Sequence, residues 1–329
     1  MKRPITMLSI ILVIQIIIML LVSTDTNKVT KKEAFLKSDT SRVDYIKIQN
    51  EHGELVMKRF GMTWKITEPI EWKANSSYIK TLLEKMAELK LESAITSNED
   101  KYVLYELDGA VAKYIEIGEE GGVIDKFYCG KPSENYKHTY VRQADSDEVW
   151  MVSGSPRSSF TREPSMWRDK GILALDKTMI EQIKLKFPNE VITLNRVIDT
   201  GGDSDSGFVM PDTSWMATKR NGESFEPVEK ATNRILNTLN RLNAMKFMDA
   251  PTDTIPDFSN PEFTIEVYLE GDQKEVLDFI PKADEETRYV ARHNGEESTV
   301  FVIYQSTVKN LKKDEDALKG IEKKEEPEF

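Results

Sequence analysis

One cysteine, Cys129, stands in 329 residues. A lone thiol excludes an intrachain disulfide, so the redox compartment is not written in cysteine usage. Histidine is nearly as scarce. His52, His138 and His293 are the only three, and none has a second His or Cys at metal-ligand spacing. They read as turn or strand-end residues. The chain has no G-x-x-x-x-G-K-S/T, no G-x-G-x-x-G after a strand and no G-x-S-x-G. Those absences remove the phosphate-cradling loop of an ATPase, the dinucleotide fingerprint and the nucleophile elbow. Positive charge is in deficit: 45 Lys and Arg face 56 Asp and Glu, for a net charge of -11. A nucleic-acid binder needs a basic face to displace counterions from phosphates, so no nucleic-acid partner is expected. No cofactor, resident metal or catalytic residue is expected either.

The first residues are of another kind. Met1, Lys2 and Arg3 precede Pro4, and Ile5 to Val22 carry no charge. At about 1.5 Å per residue this run covers most of a hydrocarbon core of about 30 Å. It exceeds the usual signal-peptide core, and Leu21-Val22-Ser23-Thr24-Asp25 lacks a small-residue cleavage site. The expectation is an uncleaved N-terminal transmembrane helix, with residues 1–24 as anchor, 25–41 as stalk, and membrane contact through residues 5–22. Lys2 and Arg3 on one side against Lys28, Lys31 and Lys32 on the other orient it weakly, with the body outside the cytoplasm.

The body reads as written twice, at a spacing of about 150 residues. Trp64 returns as Trp215, and Leu82, Met86 and Leu89 return as Ile235, Leu239 and Leu242. Ile115 and Ile117 return as Ile265 and Val267, Tyr140-Val141 as Tyr289-Val290, and residues 149–152 as 300–303. In each copy, short alternating segments precede one helical period, 78–91 and then 228–245, and a strand meander follows. Ser76 and Ser77, with Asn75 before them, suit the start of the first helix. The fold class expected is α+β: the N-terminal transmembrane helix, then two tandem repeats, each an antiparallel sheet with a helix on one face. The repeats take residues 42–180 and 181–308. A helix at 177–183 is expected to lead into the second copy, whose opening strand is placed at 191–197. A charged tail at 309–329 is read as a frayed or disordered end.

Trp64-x-Ile66-x-x-Pro69, an amphipathic helix, and then Tyr105-Glu106-Leu107-Asp108 resemble the opening of the bacterial family known as domain of unknown function 4340. Gly130-Lys131, Tyr140-Val141-Arg142, residues 149–152 and Trp167-Arg168-Asp169-Lys170 follow in that family's order. Glu106 departs from it, standing where glycine usually precedes Leu-Asp. The resemblance implies a membrane-anchored, extracytoplasmic accessory subunit beside an ABC-type transporter, with the permease or auxiliary subunits as partners. It supplies no catalytic residue.

Few residues stand out as chemistry. Asp203-x-Asp205-x-Gly207 has the spacing of a calcium loop, but the position of the closing glutamate is Ser214, and a flexible hairpin explains it as well. Cys129 lies beside Phe127 and Tyr128 and reads as a small buried hydrophobe. Trp167, Arg168 and Asp169 are the candidate partner contact, since a planar guanidinium beside a large aromatic suits an interface, or equally a buried structural pair. The expected function is non-catalytic: a membrane-anchored extracytoplasmic accessory subunit of an ABC-type transporter or related envelope complex, acting by protein–protein binding. The alternative is an extracytoplasmic module binding a glycan, peptide or lipid-linked ligand, with Trp64, Trp72, Trp150 and Trp215 as stacking platforms wherever they are exposed.

Overall fold

The computed structural model describes residue 15 and residues 33–199 and 212–321. The chain divides into two compact units that join between Arg168 and Asp169, ahead of the 180/181 boundary expected.

The first unit is built on β1 (Tyr45–Asn50), β2 (Gly53–Phe60), β3 (Thr63–Glu68), β4 (Trp72–Lys73), β5 (Leu91–Thr96), β6 (Lys113–Glu119), β7 (Gly122–Pro132), β8 (His138–Gln143) and β9 (Val149–Ser153). They form one sheet in the order β4-β3-β2-β1-β6-β7-β8-β9-β5, antiparallel throughout. Side chains alternate faces along a strand. Ile46 and Ile48 of β1 and Ile115 and Ile117 of β6 therefore share a face, and all four are buried. Helix α1 (Ser76–Ala87) lies over that face, burying Ile79, Leu82 and Met86 into the same cluster. Asn75 starts the helix, its side chain accepting from the backbone N–H of Ser77 and Tyr78. The other face carries a smaller cluster around Tyr102, Leu107 and Val149, brought there by the 3-10 turns at Glu99–Tyr105 and Gly109–Val111.

The second unit begins with β10 (Gly171–Leu173), which pairs with β15 (Leu242–Asn243). Its large sheet comprises β11 (Ile180–Lys186), β12 (Val191–Asp199), β13 (Asp212–Lys219), β14 (Ser224–Phe225), β16 (Lys246–Asp249), β17 (Phe263–Leu269), β18 (Gln273–Pro281), β19 (Arg288–His293) and β20 (Thr299–Tyr304). The order is β14-β13-β12-β11-β17-β18-β19-β20-β16. It is the order of the first sheet strand for strand, with β11 in the place of β1 and β16 in the place of β5. Helix α2 (Glu229–Asn240) buries Ile235 and Leu239 where α1 buries Leu82 and Met86. The register agrees as well: Arg59 stands opposite Trp64 in the first sheet, and Arg196 opposite Trp215 in the second.

The α+β expectation with a leading transmembrane helix is corrected. Among the described residues the protein is mostly antiparallel sheet, 44% strand and 20% helix, in two large sheets. No helix among them is long and apolar enough to cross a membrane. The longest, α1 and α2, have 12 residues each, or about 18 Å, against a hydrocarbon core of about 30 Å. Residues 5–22 lie, apart from Gln15, outside the described residues. Residues 180–183, expected as the end of a helix at 177–183, instead open strand β11, because Ile180, Ile183 and Leu185 fill the sheet's inner face. Neither β5 nor β16 is expected from the sequence: the first helical period is drawn to residue 91, where β5 begins, and the second to residue 245, one residue before β16. Of the charged tail, residues 309–321 are described, and they pack on the fold: helix α3 (Gln305–Leu311) and the turn at Glu315–Leu318 bury Val308, Leu311 and Leu318.

Each sheet is closed by the segment that leaves its ninth-numbered strand. In the first unit, the carbonyl of Trp167 accepts from the backbone N–H of Asn75 at 2.7 Å. In the second, the carbonyl of Leu318 accepts from Val228 at 2.8 Å. Both acceptors reach the residue just before a helix. The next residue in each strap is a cation laid on an aromatic ring of the short edge strand: Arg168 over Trp72 at 4.2 Å, and Lys319 over Phe225 at 4.7 Å. Trp167 is fully buried, edge-on to Tyr78. Truncating it to Ala is expected to lower the free energy of unfolding by about 3–5 kcal/mol. Urea titration of the full chain checks this, and a loss under about 1 kcal/mol would show that Trp167 does not anchor the strap.

Candidate functional site

The residues singled out in the sequence scatter. Trp167 and Arg168 are buried in the strap, and Asp169 is half-buried, its Oδ1 accepting from the N–H of Gly171. Two of the three are therefore withdrawn from any surface. Cys129 is fully buried, and burial pushes its thiol up to about 12. His52 is exposed in the β1–β2 turn, His138 lies 3.9 Å from Glu92, and His293 Nε2 lies 2.6 Å from Glu275. Among the described residues no group of three or more His, Cys, Asp or Glu is placed to hold a metal ion. Asp203 and Asp205 lie outside the described residues. Of the tryptophans proposed as platforms, Trp64 is in the core, whereas Trp72, Trp150 and Trp215 are half-exposed.

Two concavities were not foreseen. The first is a groove of about 460 Å³ in the first unit, lined by Leu104, Tyr105, Lys131, Pro132, Tyr136 and Tyr140 among others. The family-like segments meet in it. Tyr105 and Tyr140 pack ring to ring at 4.7 Å. Gly130 passes beneath: a Cβ there would stand 2.1 Å from the Tyr105 carbonyl, so only glycine fits. Glu106 turns the chain in the left-handed region, φ 54°, and pairs with Arg157. The opposite lip is the turn 133–137, where Tyr136 donates its N–H to Ser133 O at 2.9 Å and Ser133 Oγ accepts from His138 N–H at 3.2 Å. Tyr136 also sits at φ 58°, a conformation costing about 1–2 kcal/mol for a bulky residue. Tyr136 is nonetheless 74% exposed, and Leu104 across the groove is 56% exposed.

The second concavity is a cleft of about 760 Å³ in the second unit. Arg196, Ile198, Thr213 and Trp215 of β12 and β13 form its floor, and Thr232, Asn233 and Leu236 of α2 form one wall. Lys177 and Thr178 close the other side.

A further arrangement is duplicated on the outer face of each central strand pair. Glu116 accepts from Tyr114 Oη at 2.7 Å and lies 4.0 Å from Lys126. Glu266 pairs with Lys186 at 2.6 Å and Lys274 at 3.0 Å and accepts from Tyr268 Oη at 2.9 Å. Burial opposes the ionisation of Glu266, but the hydrogen bonds from Lys186, Lys274 and Tyr268 outweigh it and bring its pKa to about 2.

Two antiparallel units of one topology, each closed by a strap, with a tyrosine-rich groove on the first, define the protein's class. The family assignment follows from the sequence: the chain belongs to the family described as Domain of unknown function (DUF4340), whose profile matches residues 64–261. That match covers parts of both units. No curated protein and no solved structure matches the chain.

Two outcomes test this geometry. If the turn at Glu106 demands φ > 0, Glu106→Gly should be more stable than Glu106→Ala by about 1 kcal/mol, since both lose the Arg157 pair and only glycine escapes the left-handed strain. Equal melting temperatures would refute it. The second concerns pH. The folded pKa of Glu266 lies below its unfolded value of 4.5, so its contribution is complete above about pH 4.5 and fades as pH falls toward 2. Allowing for solvent around Lys186 and Lys274, that contribution is about 1–3 kcal/mol. The stability gap between wild type and Glu266→Gln should therefore shrink from pH 6 to pH 3 in urea titrations, and a constant gap would refute the assignment.

Proposed function

We propose that the chain is a non-catalytic accessory subunit of an ABC-type transporter or related envelope complex, acting by protein–protein binding. In this reading it is attached to the membrane through the apolar residues 5–22 and carries both units outside the cytoplasm, with the permease or an auxiliary subunit as partner. The observation that carries the binding role is the rim of the first unit's groove. Leu104 and Tyr136 hold large apolar side chains in water on a backbone wired by hydrogen bonds and left-handed at Tyr136. Strained backbone clusters at ligand clamps and contact sites, and here it holds two apolar side chains open on one rim. Tyrosine is also enriched in such contacts, burying area at little entropic loss. The apolar N-terminus and the family likeness support the location and the partner.

The double substitution Leu104→Glu with Tyr136→Ser is expected to leave the melting temperature within a few degrees of wild type, as both side chains are exposed. Transporter subunits should co-purify with wild type from solubilised membranes and be lost with the variant. Failure to recover them with wild type, or full recovery with the variant, would overturn the reading.

A further inference from the structure

Internal duplication supplies a comparison within one chain. Trp64 and Trp215 occupy the same register position, each opposite an arginine of the neighbouring strand. The arginines do the same work: Arg59 donates to the carbonyls of Ser41 and Arg42 at 3.3 and 3.2 Å, and Arg196 donates to the carbonyl of Thr178. Each ties the segment ahead of its unit's first large-sheet strand to the second strand. The tryptophans do not share a fate. Trp64 is sealed in the core, while Trp215 is half-exposed and lines the 760 Å³ cleft. The scaffold therefore does not require the opening above the second indole.

We propose that this cleft binds a neutral, hydroxyl-rich ligand, a short oligosaccharide, stacked on the Trp215 ring. Its volume lies within the range of about 300–1,000 Å³ common to small-molecule sites. Its charges balance: Lys177 and Arg196 against Glu226 and Glu229. An anionic ligand would meet two carboxylates and a cationic one two bases, so neither sign is favoured. A wholly apolar ligand would strip water from the exposed Ser214 and Asn233 without replacing their hydrogen bonds. A sugar satisfies both sides of the lining, offering hydroxyls to donors and acceptors and an apolar C–H face to an aromatic ring.

The polar groups are held in place. Asn233 Nδ2 donates to Glu229 Oε1 at 3.0 Å, which leaves the Asn233 carbonyl oxygen and a second N–H for a ligand. Lys177 is tied to Asn237, and Arg196 to Thr178 as above. Beside the indole, Ile198 keeps an apolar side chain 51% exposed, which extends the platform beyond one ring. This proposal is independent of the docking face on the first unit, and either can fail alone.

The test titrates the full chain, kept soluble in a sugar-free detergent, with maltotriose, cellotriose and tri-N-acetylchitotriose. Saturation-transfer NMR and calorimetry read binding up to ~10 mM, enough to saturate a site with a Kd near 1 mM. At least one trisaccharide should bind. Trp215→Ala should weaken that binding about tenfold or more, and Trp215→Phe, which keeps a ring, by less. Asn233→Ala, on an exposed position of α2, should weaken it without lowering the melting temperature, which keeps the test decisive should Trp215→Ala fold poorly. Trp150→Phe, in the first unit, should bind as wild type does. No binding of any trisaccharide to wild type would overturn the proposal. So would undiminished binding by both Trp215→Ala and Asn233→Ala, or tighter binding of inorganic phosphate than of any sugar.

Discussion

A nine-stranded antiparallel sheet is about 38 Å across at the usual strand spacing, and a helix of 12 residues is about 18 Å long. One such helix cannot cover the sheet's apolar face. Each unit meets this mismatch in the same way, by bringing the chain back from the last hairpin to finish the cover. The returning strap gives a backbone carbonyl to the residue before the helix, buries a large apolar side chain, and rests a cation on the ring of a two-residue edge strand. The side chains differ between copies, Trp167 and Leu318, Arg168 and Lys319, Trp72 and Phe225, but their physical roles do not. Short edge strands also limit the unpaired backbone that would invite strand addition.

Once the sheet and strap carry the stability, the remaining surface is free to differ. The first unit spends its outer face on a corner where Gly130 passes under Tyr105 and where two residues adopt left-handed backbone. The second unit leaves the same outer position to a different segment, with Phe258 packed on Val290 and Val300, and opens instead on the helix side above Trp215. Glu116 and Glu266 mark what the copies still share, a carboxylate on the central strand held by tyrosine and lysine. Two units of one topology thus present two unlike concavities, and the functional reading assigns one to a protein partner and the other to a saccharide.

Much of this was legible beforehand where side-chain period and local chemistry agree. The alternation at Ile46, Ile48, Ile115 and Ile117 and the three-and-four spacing of Leu82 and Met86 point to the faces that are buried. The turn chemistry failed to signal β5 and β16, which are edge strands whose partners lie far along the chain. Residues 180–186 carry spacings compatible with either period, and only pairing with both β12 and β17 makes them a strand. The sequence leaves Trp167-Arg168 open between an interface and a buried structural pair, because a buried aromatic–guanidinium pair and an exposed one are identical in sequence. The groove was missed because its exposed members, Leu104 and Tyr136, sit in segments without periodicity.

The amino-acid sequence by itself determined the duplication, the inward faces, a helix start at residues 75–77 and the lack of a metal-ligand or phosphate-loop motif, since these follow from residue type and short spacing. Tertiary structure alone decided which of two equivalent tryptophans meets water, which aromatic–cation pair is sealed, and which tyrosine stands open on a strained turn. Exposure depends on whether chain from elsewhere arrives to cover a residue. No local pattern around Trp64 or Trp215 records the arrival.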